Sequence, residues 1–216
     1  RARGVVAASA GNHAQGVALA ASMLGVSSTV FMPEGATLPK IEATVAYGAK
    51  VEFSGSTVDE ALSAAAEYSE RTGAVLIHPF DHRDIVAGQA TVGIEIVEDH
   101  PEARTVVVCA GGGGLLAGIC LGVAAGAPGI RMVGVQAQAA ASYPPSLAAG
   151  HPLRLPQMTT IADGIAVAQP GTLPFGIIES AGVDFRTVDD EQIAEAVVMC
   201  LERSKLVVEP AGAAGV

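Results

Sequence analysis

Thr105-Val-Val-Val-Cys-Ala-Gly-Gly-Gly-Gly-Leu-Leu-Ala-Gly-Ile119 is the stretch that decides the fold. Thr105 to Ala110 is an apolar, β-branched run that reads as a buried strand. Gly111, Gly112, Gly113 and Gly114 follow it directly, and an apolar helical stretch, Leu115 to Ala125, begins at the fourth glycine. Side-chain-free amides leading into a helix N-terminus make a cradle for phosphate. The same run also serves as a plain structural turn. The dinucleotide fingerprint is not met: its sixth position is an apolar leucine, and Gln136 stands where an acidic residue should end the following strand. The phosphate loop of nucleotide hydrolases fails too, for want of a lysine-serine or lysine-threonine pair. A phosphate on a smaller cofactor remains.

Outward from this stretch, strands and helices alternate. Strands are expected at Val5–Ser9, Thr29–Met32, Lys50–Phe53, Ala74–Ile77, Thr105–Ala110, Arg131–Val135 and Val183–Val188. Helices are expected at 12–25, 38–47, 57–71, 84–98, 115–125, 171–180 and 189–203, with Thr57 and Glu60 as a capping box. The proline-bearing stretch from Ala139 to Pro174 reads as short helices and loop. Such alternation predicts an α/β fold of open, mostly parallel sheet with helices on both faces, binding ligands beyond the carboxyl ends of its strands.

A second loop occupies such an end. Ser9-Ala-Gly-Asn-His13 joins the first strand to the first helix. Ser9, Asn12 and His13 offer hydrogen-bonding side chains, Gly11 permits close backbone approach, and free amides at the helix start suit an anion such as a carboxylate. The plain reading is that Ser9 or Asn12 caps the helix.

Composition narrows the function classes. The 216 residues carry 22 acidic against 12 basic side chains, a formal net charge of −10, which is the wrong sign for a nucleic-acid binder. No apolar run reaches membrane length. Cys109, Cys120 and Cys200, odd in number and widely spaced, form neither a disulfide framework nor a zinc knuckle and suggest a reducing, cytoplasmic setting. The chain enters a strand straight after Arg1-Ala-Arg-Gly4 and stops at Val216 in what reads as the first turns of a helix, so it is expected to be a piece truncated at both ends.

The two loops, in this order and roughly a hundred residues apart, resemble fold-type II pyridoxal-phosphate enzymes, the threonine dehydratase and serine racemase group with a tryptophan synthase β-like fold. Pro79-Phe-Asp81, Gly88-Gln89, Ala162-Asp-Gly164 and Glu209-Pro210 carry the resemblance over nearly the whole chain. The resemblance implies a small domain over residues 1–76 and a large one over 77–216, with pyridoxal 5′-phosphate as cofactor. It also implies that Asn12 bonds the phenolic oxygen of the cofactor ring. Ser9, Ala10, Gly11 and His13 would surround the substrate carboxylate. Gly111 to Gly114, with Leu115, would hold the phosphate, and Gly164 and Glu209 would line the pocket. An amino-acid substrate and self-association into a homo-oligomer follow in the same way.

Departures from the family pattern shape the expectation. The lysine that binds the family's cofactor lies before the first loop in a serine-x-lysine-x-arginine-glycine context; Lys40, Lys50 and Lys205 match no such motif. Activity is therefore expected of the intact parent and not of this piece. Ala10 stands where serine racemase has a second serine. Racemisation needs acid–base groups on both faces of the substrate, whereas β-elimination does not. Dehydration of L-threonine to 2-oxobutanoate and ammonia is thus expected before racemisation. Serine or 3-hydroxyaspartate is an alternative substrate, and an inactive cofactor-binding protein is the non-enzyme alternative. Gln136 and Ser142 replace the carboxylates of the family's divalent-metal site, so no metal is expected. An anabolic enzyme of this type, serving isoleucine synthesis, carries a C-terminal effector domain; a catabolic one lacks it.

Overall fold

The computed structural model describes residues 3–216. Arg1 and Ala2, which open the run read as a mid-chain start, lie outside the described residues. The chain divides into two compact units, Arg1–Pro79 and Phe80–Val216.

The first unit contains β1 (Val5–Ala8), α1 (Asn12–Met23), β2 (Ser28–Met32), α2 (Leu38–Ala46), β3 (Lys50–Phe53), α3 (Val58–Thr72) and β4 (Val75–Ile77). Its strands form one parallel sheet in the order β3-β2-β1-β4. Strand alternation sends Val6, Ala8 and Phe31 to one face, where they meet Ala61 and Ala65 of α3. Val30 and Met32 point to the other face, against Ala14 and Ala18 of α1. Alanine at these helix positions brings the helices close to the sheet, which is how a core with so few aromatics fills its volume. Thr57 and Glu60 form the expected capping box at α3.

The second unit contains α4 (Arg83–Asp99), β5 (Thr105–Cys109), α5 (Gly114–Gly126), β6 (Arg131–Ala137), α6 (Tyr143–Ala149), α7 (Thr172–Ser180), β7 (Asp184–Val188), α8 (Asp190–Met199) and α9 (Pro210–Ala213). Its parallel sheet runs β5-β6-β7. Val106, Val108 and Met132 pack with residues of α4, α5 and α7 in one core layer. Ala137, Ile193 and Ala211 belong to a second layer with α8 and α9. Sheet between helical layers is thus the architecture of both units, the α/β, parallel design expected.

Two expectations need correction. Strand β6 does not stop at Val135: it continues to Ala137, because Gln136 and Ala137 pair with Thr187 and Val188 of β7. Gln136 is therefore a fully buried strand residue. Helix α8 does not stay α-helical to Arg203. It gives way at Cys200–Ser204 to a π-turn, closed by Lys205 in the left-handed region (φ 59°).

Helices α4 and α5 make the tightest helix pair. A Cβ on Gly93 would lie 2.5 Å from the Ile119 carbonyl oxygen, one on Gly118 2.6 Å from the Val86 carbonyl oxygen, and one on Gly122 closer still to that of Ala90. The glycines that interrupt the apolar α5 sequence are the contact surface of this pair. Gly122→Ala is expected to destabilise the protein by about 2–3 kcal/mol through forced separation of the helices. Urea unfolding measures it; a shift under about 0.5 kcal/mol would be the value for an unconstrained surface site.

Candidate active site

The loop of the first unit begins where β1 ends. Ser9 Oγ accepts the Gly11 N–H at 3.0 Å, a local turn that re-aims the chain into α1. Gly11 is the N-cap residue of α1, with no side-chain cap bond, and Asn12 is the first helical residue. The capping reading of Ser9 and Asn12 is therefore corrected: Ser9 is engaged in the turn, and Asn12 lies inside the helix. A Cβ on Gly11 would meet nothing within 4 Å. Its φ of −146° lies outside the left-handed region that favours glycine. Nothing in the chain's own packing requires glycine there.

His13 lies partly buried at the start of α1, its Nε2 3.0 Å from the Ile77 carbonyl oxygen at the end of β4. A carbonyl only accepts, so the proton sits on Nε2 and the neutral ring has a bare Nδ1. Burial lowers its pKa below the ordinary 6.5, with the Ile77 bond opposing. The neutral ring ties α1 to β4 and has no second N–H for a carboxylate.

The glycine loop of the second unit is gripped by its own protein. A Cβ on Gly111 would lie 3.0 Å from Ile165 Cα, one on Gly112 2.5 Å from the Phe80 ring, and one on Gly114 2.9 Å from Phe80 Cβ. Gly113 has φ +97°, a conformation that glycine adopts freely, and a Cβ there would collide with the Tyr143 hydroxyl. Gly112, Gly113 and Gly114 leave no room for a side chain, and one on Gly111 would press on Ile165. Among the described residues no backbone acceptor takes the N–H of Gly111, Gly112 or Gly113. Gly114 opens α5, whose first-turn amides lack intrahelical partners. Leu115, the next residue, is exposed.

Gly164 sits in a short 3₁₀ turn, Asp163–Ile165, directly beside the Ile165 that packs on Gly111. A Cβ on Gly164 would lie 2.9 Å from Ala211 Cβ and 3.5 Å from Glu209 Oε1. Glu209 is the N-cap residue of α9, its carbonyl accepting the Gly212 and Ala213 amides. The glycine loop, Gly164 and Glu209 are therefore neighbours in space, although the chain separates them widely.

Sequence reasoning missed the roles of three residues here. Asp81 caps α7 from a distance, Oδ2 accepting from Thr172 N and Oδ1 from Leu173 N, both at 2.9 Å. Gln136 links Ala110 and Tyr143, and Tyr143 reaches Gly112. Gln136 had signalled itself only as a missing carboxylate. A buried tyrosine in a stretch read as short helices and loop gave no signal at all. Lys50 pairs with Glu52 at 2.5 Å, and Lys205 Nζ donates to the Glu202 carbonyl. Among the described residues no group of three His, Cys, Asp or Glu could hold a metal, and no helix is long and apolar enough to cross a membrane.

The glycine loop is pinned at a βα junction with the amides of Gly111 to Gly113 unclaimed by backbone acceptors among the described residues, and the chain belongs to the pyridoxal-phosphate dependent enzyme family, whose model matches residues 1–216. Its cofactor is pyridoxal 5′-phosphate. The chain is 46% identical over 216 residues to the L-threonine ammonia-lyase of Thermotoga maritima, covering 100% of this chain and 54% of that protein. The structure of maize serine racemase superposes with a TM-score of 0.95 at 37% identity, covering 99% of this chain and 65% of that one. The processed form of a threonine deaminase from Solanum lycopersicum superposes at 0.93 with 37% identity, covering 99% and 62%. The chain thus spans about half the length of the curated relative from Thermotoga maritima.

His13 makes stability pH-dependent. Its folded pKa lies below the ordinary 6.5, so the unfolded chain binds more protons just below that pH. This contribution is fully present above 6.5 and is lost as pH falls through the window beneath it. Urea midpoints at pH 5.5 and 7.5 should differ less in His13→Asn than in the wild type; an unchanged difference would show that His13 does not titrate as its burial requires.

Proposed function

We propose that the whole protein carrying this chain is a pyridoxal-phosphate-dependent threonine dehydratase, converting L-threonine to 2-oxobutanoate and ammonia. The observation that carries the reading is the glycine cradle, closed in on all four residues by Phe80, Ile165 and Tyr143. Relatives named for threonine deamination support the substrate.

When bound, pyridoxal phosphate supplies an electron sink for charge that develops at the substrate α-carbon. The amides of Gly111 to Gly114, with the first turn of α5, receive its phosphate, and Leu115 borders it. Asn12 donates to the phenolic oxygen of the ring, and Gly164 and Glu209 line the pocket. Ser9 Oγ, having accepted the Gly11 N–H, keeps its own proton to donate to the substrate carboxylate. Gly11, open on its Cβ side, lets that carboxylate approach the backbone. His13 holds the start of α1 in place as a neutral group. Ala10 has no proton to deliver to the substrate, which favours elimination over the racemisation that the likeness to maize serine racemase would otherwise suggest.

The whole protein, supplied with L-threonine, is expected to release 2-oxobutanoate in a manner dependent on added pyridoxal phosphate. L-Serine is expected to be slower, though a pocket discriminates one methyl by only ~1–3 kcal/mol. A folded, cofactor-loaded protein that forms no product from threonine would remove the threonine assignment and move the search to serine and 3-hydroxyaspartate. Gly11→Ala should leave unfolding free energy within about 0.5 kcal/mol of wild type, while KM for threonine rises several-fold. An unchanged KM would exclude close approach of the substrate at Gly11.

A further inference from the structure

Gln136 and Tyr143 are both fully buried, and neither belongs to the loops that meet cofactor or substrate in the reading above. Gln136 lies on β6, next to the Val135 whose carbonyl accepts the Ala110 N–H at 2.8 Å. Its amide is satisfied at both ends. Nε2 donates to the Ala110 carbonyl at 3.1 Å, directly before the glycine loop, and Oε1 accepts the Tyr143 N–H at 2.9 Å. That N–H is the first of α6 and would otherwise have no partner. The Tyr143 side chain then runs beneath the loop. Its ring stacks on Phe185, with centroids 4.8 Å apart and planes 7° from parallel. Its hydroxyl donates to the Gly112 carbonyl at 3.3 Å and fills the space beside Gly113. Gly171 N donates to the same Gly112 carbonyl at 3.0 Å.

Four consecutive glycines have more backbone freedom to lose than any other tetrapeptide, so an ordered cradle needs an external restraint. We propose that Gln136 and Tyr143 form one buried strut, acting as positioning residues that hold the Gly111–Gly114 amides in the arrangement that receives phosphate. The proposal rests on the reading that this loop takes the phosphate of the cofactor. It gives Gln136 a task that a metal-ligating carboxylate could not perform, since the amide nitrogen must donate to Ala110.

The test uses the whole protein freed of cofactor, titrated by fluorescence with pyridoxal 5′-phosphate and, separately, with pyridoxal, which lacks the phosphate. Wild type, Tyr143→Phe and Gln136→Met are compared, together with hydrogen exchange of the Gly112 to Gly114 amides. Tyr143→Phe keeps the stacked ring and is expected to fold. Its Kd for pyridoxal phosphate should rise about two- to tenfold, the range for one lost hydrogen bond, with the Kd for pyridoxal unchanged and loop exchange faster. Gln136→Met should show the same phosphate-selective loss if it folds. Wild-type affinity and exchange in Tyr143→Phe would overturn the strut while leaving the cradle reading intact. Equal weakening toward both ligands would also overturn it, because the effect would not lie at the phosphate. A wild-type protein that binds pyridoxal as tightly as pyridoxal phosphate would instead overturn the cradle reading, and the strut with it.

Discussion

The Gly112 carbonyl accepts two hydrogen bonds, from the Gly171 amide and the Tyr143 hydroxyl, and the candidate site in the second unit is arranged around that oxygen. Gly171 is the N-cap residue of α7, whose next two amides are held by Asp81, so one carboxylate orients the helix start that meets the loop. Phe80, the residue before Asp81, packs on Gly112 and Gly114. The Pro79-Phe-Asp81 stretch therefore supplies both the apolar wall of the cradle and the cap of a helix that braces it.

The first unit is arranged differently. Its loop is short, its Ser9 hydroxyl closes a turn on Gly11, and a neutral His13 fastens the helix that follows. The hydroxyl still has a proton to donate, and the space beside Gly11 is open. By contrast, the space beside every glycine of the second loop is filled by protein. The glycines of the two loops thus have opposite causes: in the second loop a neighbour already present in the chain, in the first the room left at the chain's surface.

The cysteines fit this division between packing and chemistry. Cys120 is buried within the α5 core, where desolvation raises its thiol to about 11, and Cys109 is likewise raised by burial. Neither has the lowered pKa of a reactive thiolate.

The sequence by itself determined the alternation of strands and helices, the Thr57–Glu60 capping box and the two loops at strand ends. Each rests on local causes: β-branched runs, capping side chains, and glycine where a strand turns into a helix. Tertiary structure alone decided that Gln136 is a strand residue, because its place depends on pairing with Thr187. It likewise decided that Tyr143 lies under Gly113, that Asp81 caps a helix about ninety residues away, and that Glu209 sits beside Gly164. These are contacts between distant parts of the chain, and neither propensity nor periodicity encodes which distant group will satisfy a buried amide or fill the space beside a glycine.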